Sequence, residues 1–443
     1  MLSGALIMLA PALYNGFPLV YSDTGTYIMS GMEKLVPVDR PVIYGLFIRI
    51  VSMKVSLWMV VFTQCMMMSY LLFVCFTVIT ANAGRKMVFI AILIFLTAFT
   101  SVGWYAGQIM PDIFTPACIL SIFLLLFNKQ LNRPDTILIS CILVLSIGMH
   151  LSNFIISILI LLAAFVFCRM VAFEKTHRKR FILPFALTVT GILMISVVNY
   201  AMESSFKISK GSHVFLMGKL LDSGVLKKFL DDKCPDNHYA LCGCKDSLPK
   251  NSRDFLWAGN SPLYKDGGWE KSAYEYNRVI AGVFTSPKHC FMFACNALFS
   301  SASQLFQNDI GSDLVSTWYA DPSSPPYAQI EKHFPNELKP YRISRQNSNL
   351  WGQGLNFDFI NRINYLLLIF CVLFLVFIFS CRVVWNKIDA EFKIMLLICI
   401  LGIVLNAVVT ASLANVYDRL QARVSWMFVL IMLYAVAVNY KVL

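Results

Sequence analysis

The chain has 443 residues, of which 58% are hydrophobic and 14% charged, and its mean hydropathy is +0.65. Soluble domains carry about 25% charged residues, so this composition excludes a chain that meets water over its whole surface. The formal net charge of +12 would suit a nucleic-acid binder, but in so apolar a chain it reads as membrane-anchoring charge, and no nucleic-acid partner is expected.

A transmembrane helix needs about 20 mostly apolar residues. Blocks of this kind fall near 1–20, 55–80, 87–105, 113–127, 136–149, 153–170, 181–199, 364–384, 394–411 and 424–440. They predict an all-α polytopic membrane protein of about ten spans. The first block is expected to stay as a helix, because it lacks the basic n-region and small-residue cleavage site of a signal peptide. Basic residues follow every second block: Arg85 and Lys86; Lys129 and Arg133; Lys175, Arg178, Lys179 and Arg180; Arg382, Lys387 and Lys393; and Lys441. Alternating spans put all of them on one side, the positive-inside pattern, with both termini cytoplasmic. The segment from His289 to Phe306 is apolar enough to cross, but a crossing there would reverse the side of the 382–393 loop. It is expected instead to lie on the membrane surface or within the outer region.

Residues 1–199 thus form an N-terminal transmembrane module, 200–363 a mixed extracytoplasmic loop domain, and 364–443 the C-terminal transmembrane helices. The outer region has the turn residues of a folded unit, among them Pro235, Gly243, Pro249, Gly267, Gly268 and Pro335. Phe255, Trp257, Trp269, Tyr274, Tyr276 and Trp318 could supply a small core. Eight of the thirteen cysteines sit in membrane blocks and read as small apolar residues. The other five are Cys234, Cys242, Cys244, Cys290 and Cys295. Pairing of Cys234 with Cys242 or Cys244, and of Cys290 with Cys295, suits an oxidising compartment. Zinc is the weaker reading, since His238 does not complete a known ligand spacing. No metal site is expected, although a divalent ion near the acids is not excluded.

Polar residues concentrate at the outward helix ends. Asp23 follows the first block, with Asp39 and Arg40 in the same loop. Asp112 precedes the fourth block, His150 and Asn153 mark the turn between the fifth and sixth, and Asp418, Arg419, Gln421 and Arg423 precede the last. Ionisable groups at membrane depth are costly and usually functional. Each also has a structural reading. Asp23 could cap a helix, Asp112 could favour a helix start, and His150 could be hydrogen-bonded for structure. Arg419 and Arg423, one turn apart, could pair with Asp418 or form a fork for phosphate. Between Pro41 and Val51, apolar residues form one stripe, as in a short helix lying in the interface or at the start of the second span.

In this layout the chain resembles the GT-C superfamily of polytopic glycosyltransferases. The resemblance rests on Asp23 after the first helix, the interfacial helix near 41–52, the second outer acid Asp112, the large late outer region, and the turn Tyr417-Asp418-Arg419-Leu420-Gln421-Ala422-Arg423. The family's paired acids after the first helix are reduced here to one, in Ser22-Asp23-Thr24. The resemblance implies transfer of a sugar from a polyprenyl-phosphate donor to a glycan, lipid or protein acceptor at the extracytoplasmic face, with no cofactor besides the lipid-linked donor. Asp23 is then expected as the catalytic base and Asp112 as its orienter or alternate. Arg40, His150, Arg419 and Arg423 are expected to bind phosphate or substrate. A bacterial inner membrane is expected, with the outer region periplasmic. The competing classes are another lipid-linked transferase (ligase, polymerase or acyltransferase) and a lipid or solute transporter.

Overall fold

A computed structural model describes residues 1–80, 86–127, 131–170, 179–235, 239–315, 317–348, 354–388 and 390–439. Arg85, Lys129, Lys175, Arg178, His238 and Lys441, singled out above, lie outside them. Among the described residues every regular element is a helix, and strand-like pairing is limited to one isolated parallel bridge, Leu19 with Gln108. The 200–363 region, expected to be a mixed outer domain, is therefore helical where it is described.

Among the described residues, five helices are long and apolar enough to cross a membrane: Trp58–Thr80, Lys179–Glu203, Asp358–Ser380, Phe392–Leu413 and Asp418–Ala437. The protein is thus a helical integral membrane protein. The sixth block forms a helix of 20 residues, Leu151–Met170. The first, third and fourth blocks form shorter pieces. The first block divides into Leu2–Met8 and Ala10–Asn15, with Pro11 in the first turn of the second piece and Gly16 ending it at a φ of 81°. The third ends as a helix at Phe99, where the Thr100 hydroxyl bonds back to the Leu96 carbonyl at 2.6 Å, and a short turn of helix, Val102–Ala106, follows. The fourth, Phe114–Phe127, is entered through a 3₁₀ turn that begins at Pro111.

The N-terminal helices and the last two helices share one apolar core, in which Phe76, Phe123, Trp426 and Tyr434 are buried. Lys86, Arg133 and Lys393 stand near the starts of Lys86–Phe99, Arg133–Met149 and Ala390–Leu413. The chain leaving the far end of each helix leads to Asp112, His150 and Arg419 respectively. Basic anchors and candidate site residues therefore occupy opposite helix ends.

The helix expected near 41–52 runs from Ile43 to Ser52. Met53 and Lys54, both at positive φ, turn the chain before Trp58–Thr80 begins, so this helix is separate from the second span. Its apolar stripe is divided: Val42 and Ile43 are buried, Leu46, Phe47 and Val51 half-buried and Ile50 exposed, while Tyr44 and Ile48 beside the stripe are buried. It crosses Thr24–Glu33 at Gly45 and Gly31, where the backbones touch.

The outer region has two parts. Helices between Ser212 and Thr285 enclose their own core of Met217, Phe229, Phe255, Trp269, Tyr276 and Val283. Three of the six aromatics expected in that core, Phe255, Trp269 and Tyr276, are buried; Trp257, Tyr274 and Trp318 are exposed. The later part packs Tyr319, Tyr327, Ile330 and Tyr341 onto the membrane core instead. A disulfide joins Cys234 to Cys242. Cys244, Cys290 and Cys295 are free thiols. The expected pairing of Cys290 with Cys295 fails because both lie on the Pro287–Phe306 helix, five residues and so about 140° apart around its axis. That helix seats Met292 and Phe293 against the outer core, packs against Ala390–Leu413, and leaves Phe291, Leu298, Phe299 and Phe306 exposed.

Candidate functional site

The backbone leading to Asp23 is pinned from two sides. Leu19 exchanges hydrogen bonds with the 107–109 segment: its N–H donates to the Gly107 carbonyl at 3.0 Å and its carbonyl accepts from Ile109 N–H at 2.8 Å. The Gln346 amide pairs with both backbone groups of Val20, at 3.0 and 2.7 Å, and also donates to the Leu314 carbonyl at 2.9 Å. Thr24 then receives the Tyr21 N–H and donates to the Ile109 carbonyl, which locks the start of Thr24–Glu33. Asp23 stands at the cap position of that helix, but its side chain makes no cap bond. The capping account of this acid is therefore not met, and its carboxylate is aimed elsewhere.

It faces two arginines. Asp23 Oδ1 lies 3.2 Å from Arg40 Nη2, and Oδ2 lies 3.4 Å from Arg419 Nη1. Each guanidinium is backed by an aromatic face, Arg40 by Tyr27 at 5.0 Å and Arg419 by Tyr21 at 4.1 Å. Arg40 also pairs with Asp39. The Tyr21 hydroxyl donates to Asp313 Oδ2 at 2.7 Å, which ties the outer region to the site. The Asp23 side chain keeps 28% of its surface exposed, against 12% for Arg40 and 17% for Arg419. Burial would raise the Asp23 carboxyl, but the guanidiniums of Arg40 and Arg419 outweigh it and hold the group below the usual carboxylate range.

Beside this partly exposed cluster lies a buried one. Arg423 Nη1 is 3.2 Å from Asp112 Oδ1, and the two side chains are 0% and 2% exposed. The same guanidinium donates to Asn406 Oδ1 at 2.8 Å and to the Ser152 hydroxyl at 3.4 Å. The Arg419–Arg423 fork expected from their spacing is therefore divided. Arg419 faces the opening with Asp23, while Arg423 is buried and committed to Asp112, Asn406 and Ser152. Asp112 is likewise withdrawn: Oδ1 holds Arg423, and Oδ2 is buried without a hydrogen-bond partner.

His150 connects with the buried cluster through Ser152. Its Nδ1 lies 2.7 Å from the Ser152 hydroxyl and accepts the Ser152 backbone N–H at 3.3 Å. Burial, together with the guanidiniums of Arg423, Arg419 and Arg40, pushes the imidazole well below its usual value, so it is neutral. A neutral ring that accepts at Nδ1 carries its proton on Nε2. The chain Arg423 to Ser152 to His150 thus sets one tautomer, with Nε2–H left as a donor.

The six residues expected to act in catalysis or binding, Asp23, Arg40, Asp112, His150, Arg419 and Arg423, meet in one electrostatic neighbourhood. Asn406, Ser152, Tyr21, Tyr27 and Gln346 were not read from the sequence. Each is a neutral polar or aromatic residue whose role depends on partners up to hundreds of positions away. Among the described residues, no three His, Cys, Asp or Glu side chains gather as a metal-binding group. A pocket between Trp104, Tyr105, Gln108, Gly311 and Arg419 adjoins the arginine cluster. A wider cavity of about 340 Å³, lined by Asp309, Asn356, Asp358 and Asn361, shares Ile310, Gly311 and Ser312 with it.

No family model, curated protein or solved structure matches this chain. Its function has to be read from the site.

Proposed function

We propose that the protein is a membrane glycosyltransferase of the GT-C type, moving a sugar from a polyprenyl-phosphate donor to an acceptor hydroxyl at the extracytoplasmic face. The observation that carries this reading is a partly exposed carboxylate set between two guanidiniums at the helix ends opposite the basic anchors. Such a pairing supplies the two groups an inverting transfer needs. The acceptor oxygen attacks the anomeric carbon and gives its proton to Asp23. The bond from that carbon to the phosphate oxygen breaks, and its electron pair leaves with the lipid phosphate. Arg40 and Arg419 neutralise the charge that develops there. His150, with a proton fixed on Nε2, donates to a phosphate or sugar oxygen.

Asp112 and Arg423 act as positioning residues in this scheme, since both are buried away from the opening. The polar cavity beside the arginine cluster offers hydrogen-bonding groups for a hydroxyl-rich acceptor, whether glycan, lipid or protein. The positive-inside pattern favours cytoplasmic termini, and the Cys234–Cys242 disulfide favours an oxidising compartment such as the periplasm for the outer region. Both suit a bacterial inner membrane.

The test supplies the purified protein, in lipid, with pooled polyprenyl-phosphate sugars and measures released polyprenyl phosphate. Release by wild type that collapses in Asp23→Asn is expected. No release from any donor would remove the sugar-transferase reading, and equal release by both proteins would remove Asp23 as its base.

A further inference from the structure

In the cluster, the carboxylate of Asp23 does not sit on one guanidinium as a simple ion pair. One oxygen reaches Arg40 at 3.2 Å and the other reaches Arg419 at 3.4 Å, so the group bridges two arginines that come from positions 379 residues apart in sequence. Two oxygens of a phosphate would span the same pair of forks. We propose that Asp23 occupies the anion position of the Arg40–Arg419 clamp in the ligand-free protein, and that an incoming phosphate group displaces it from both.

Three observations support this exchange. First, the clamp does not depend on Asp23 for its shape. Arg40 is held by Asp39 and by the Tyr27 ring, and Arg419 by the Tyr21 ring, so both guanidiniums keep their places when the carboxylate leaves. Second, Asp23 is the most exposed of the three charged side chains, and its bonds of 3.2 and 3.4 Å are longer than the usual 2.7–2.9 Å of strong charge-assisted pairs. It is therefore the partner most readily exchanged. Third, charge is balanced around the site: Arg40 and Arg419 face Asp23 and Asp39, while Arg423 is already matched by Asp112. A phosphate entering without displacement would meet a neutralised clamp and the Asp23 charge together.

Displacement joins two events that are otherwise separate. While the clamp is empty of phosphate, the two guanidiniums stabilise the carboxylate and make Asp23 a weak base. Once phosphate takes the guanidiniums, the carboxylate loses that stabilisation and binds a proton more readily. The base is thus strengthened only when a donor is bound, which limits idle proton transfer to water. Arg40 and Arg419 face Asp23 directly, and Tyr21, Tyr27, Tyr319 and His150 are electrostatically coupled to it.

The inference rests on reading the cluster as a donor-phosphate site, but its test requires no sugar transfer. Binding of farnesyl phosphate and of inorganic phosphate is measured by calorimetry on the full chain in nanodiscs. Asp23→Asn removes the competing charge and is expected to bind farnesyl phosphate about tenfold tighter than wild type, or more. Asp23→Glu, which keeps a carboxylate, is expected to stay near wild type, and Arg419→Met to lose binding. A matching gain for inorganic phosphate supports displacement and places recognition in the phosphate alone. A gain confined to farnesyl phosphate supports displacement and assigns the ligand to lipid. Equal or weaker binding by folded Asp23→Asn overturns the proposal. Asp23→Ser takes its place should the asparagine variant fail to fold. Failure of transfer with every donor would leave this result standing, and failure of the affinity gain would leave sugar transfer standing.

Discussion

Arg423 and Asp112 form an ion pair with almost no access to solvent, and the pair carries a clear energetic signature. Removing one member leaves a buried charge without its partner, which costs about 3–5 kcal/mol, whereas replacing both with apolar side chains is often neutral. Arg423→Met and Asp112→Asn are each expected to lower the unfolding midpoint in detergent strongly, while Asp112→Leu combined with Arg423→Met recovers most of it. The double variant is not expected to regain transfer, because Ser152 and His150 lose the guanidinium that orders them. Near-additive losses in the double variant would contradict this account. The sequence made the six charged and titratable residues conspicuous, since such groups are rare beside apolar blocks. It did not reveal how they divide. Arg419 and Arg423 share a helical face by spacing alone, and only the packing of Asn406 and Asp112 shows that one of them is sealed in.

At the scale of elements, the site depends on how closely two short helices approach. A Cβ added at Gly31 would lie 1.9 Å from the Gly45 carbonyl oxygen, so the Thr24–Glu33 and Ile43–Ser52 helices touch backbone to backbone. Arg49 fastens the same crossing by donating to the Met32 carbonyl at 2.7 Å. The loop between these helices carries Arg40, so separating them moves one half of the arginine clamp. Gly31→Ala is expected to cost about 1–3 kcal/mol of stability, as overpacked sites do, and to weaken phosphate binding without removing any charged group. Unchanged stability and unchanged binding would show that the crossing yields freely. Apolar periodicity exposed the Ile43–Ser52 helix in the sequence because ten residues suffice to show a stripe. The division of the first block was hidden, since a Pro11 in mid-block changes backbone geometry without marking the block as broken in hydropathy.

For the whole molecule, orientation is the property that gives the site its compartment. Five long apolar helices among the described residues give the membrane character, and the described basic anchors sit at helix ends opposite those that lead to the site. With the free outer thiols Cys244, Cys290 and Cys295 replaced by serine, Lys227→Cys is expected to react with a membrane-impermeant maleimide on intact spheroplasts. Lys387→Cys is expected to react only after the membrane is opened. The reverse pattern would invert the topology and remove the extracytoplasmic site. Hydropathy made the membrane character legible, while the orientation read from charge awaits this labelling. The partition of the outer region was not legible, because Phe255 and Tyr276 in one core and Tyr327 and Tyr341 in the other are chemically alike.

The Asp112–Arg423 contact joins residues 311 positions apart, and this has a bearing on biosynthesis. Asp112 leaves the ribosome long before Arg423 exists, so the insertion machinery must handle an acid beside an apolar helix with no counter-charge. Until the helix that starts at Asp418 is delivered, the nascent chain carries an acid without the partner it has in the folded protein. Chains truncated before that helix would present the same defect permanently, a mark by which membrane quality-control proteases could tell unfinished copies from complete ones.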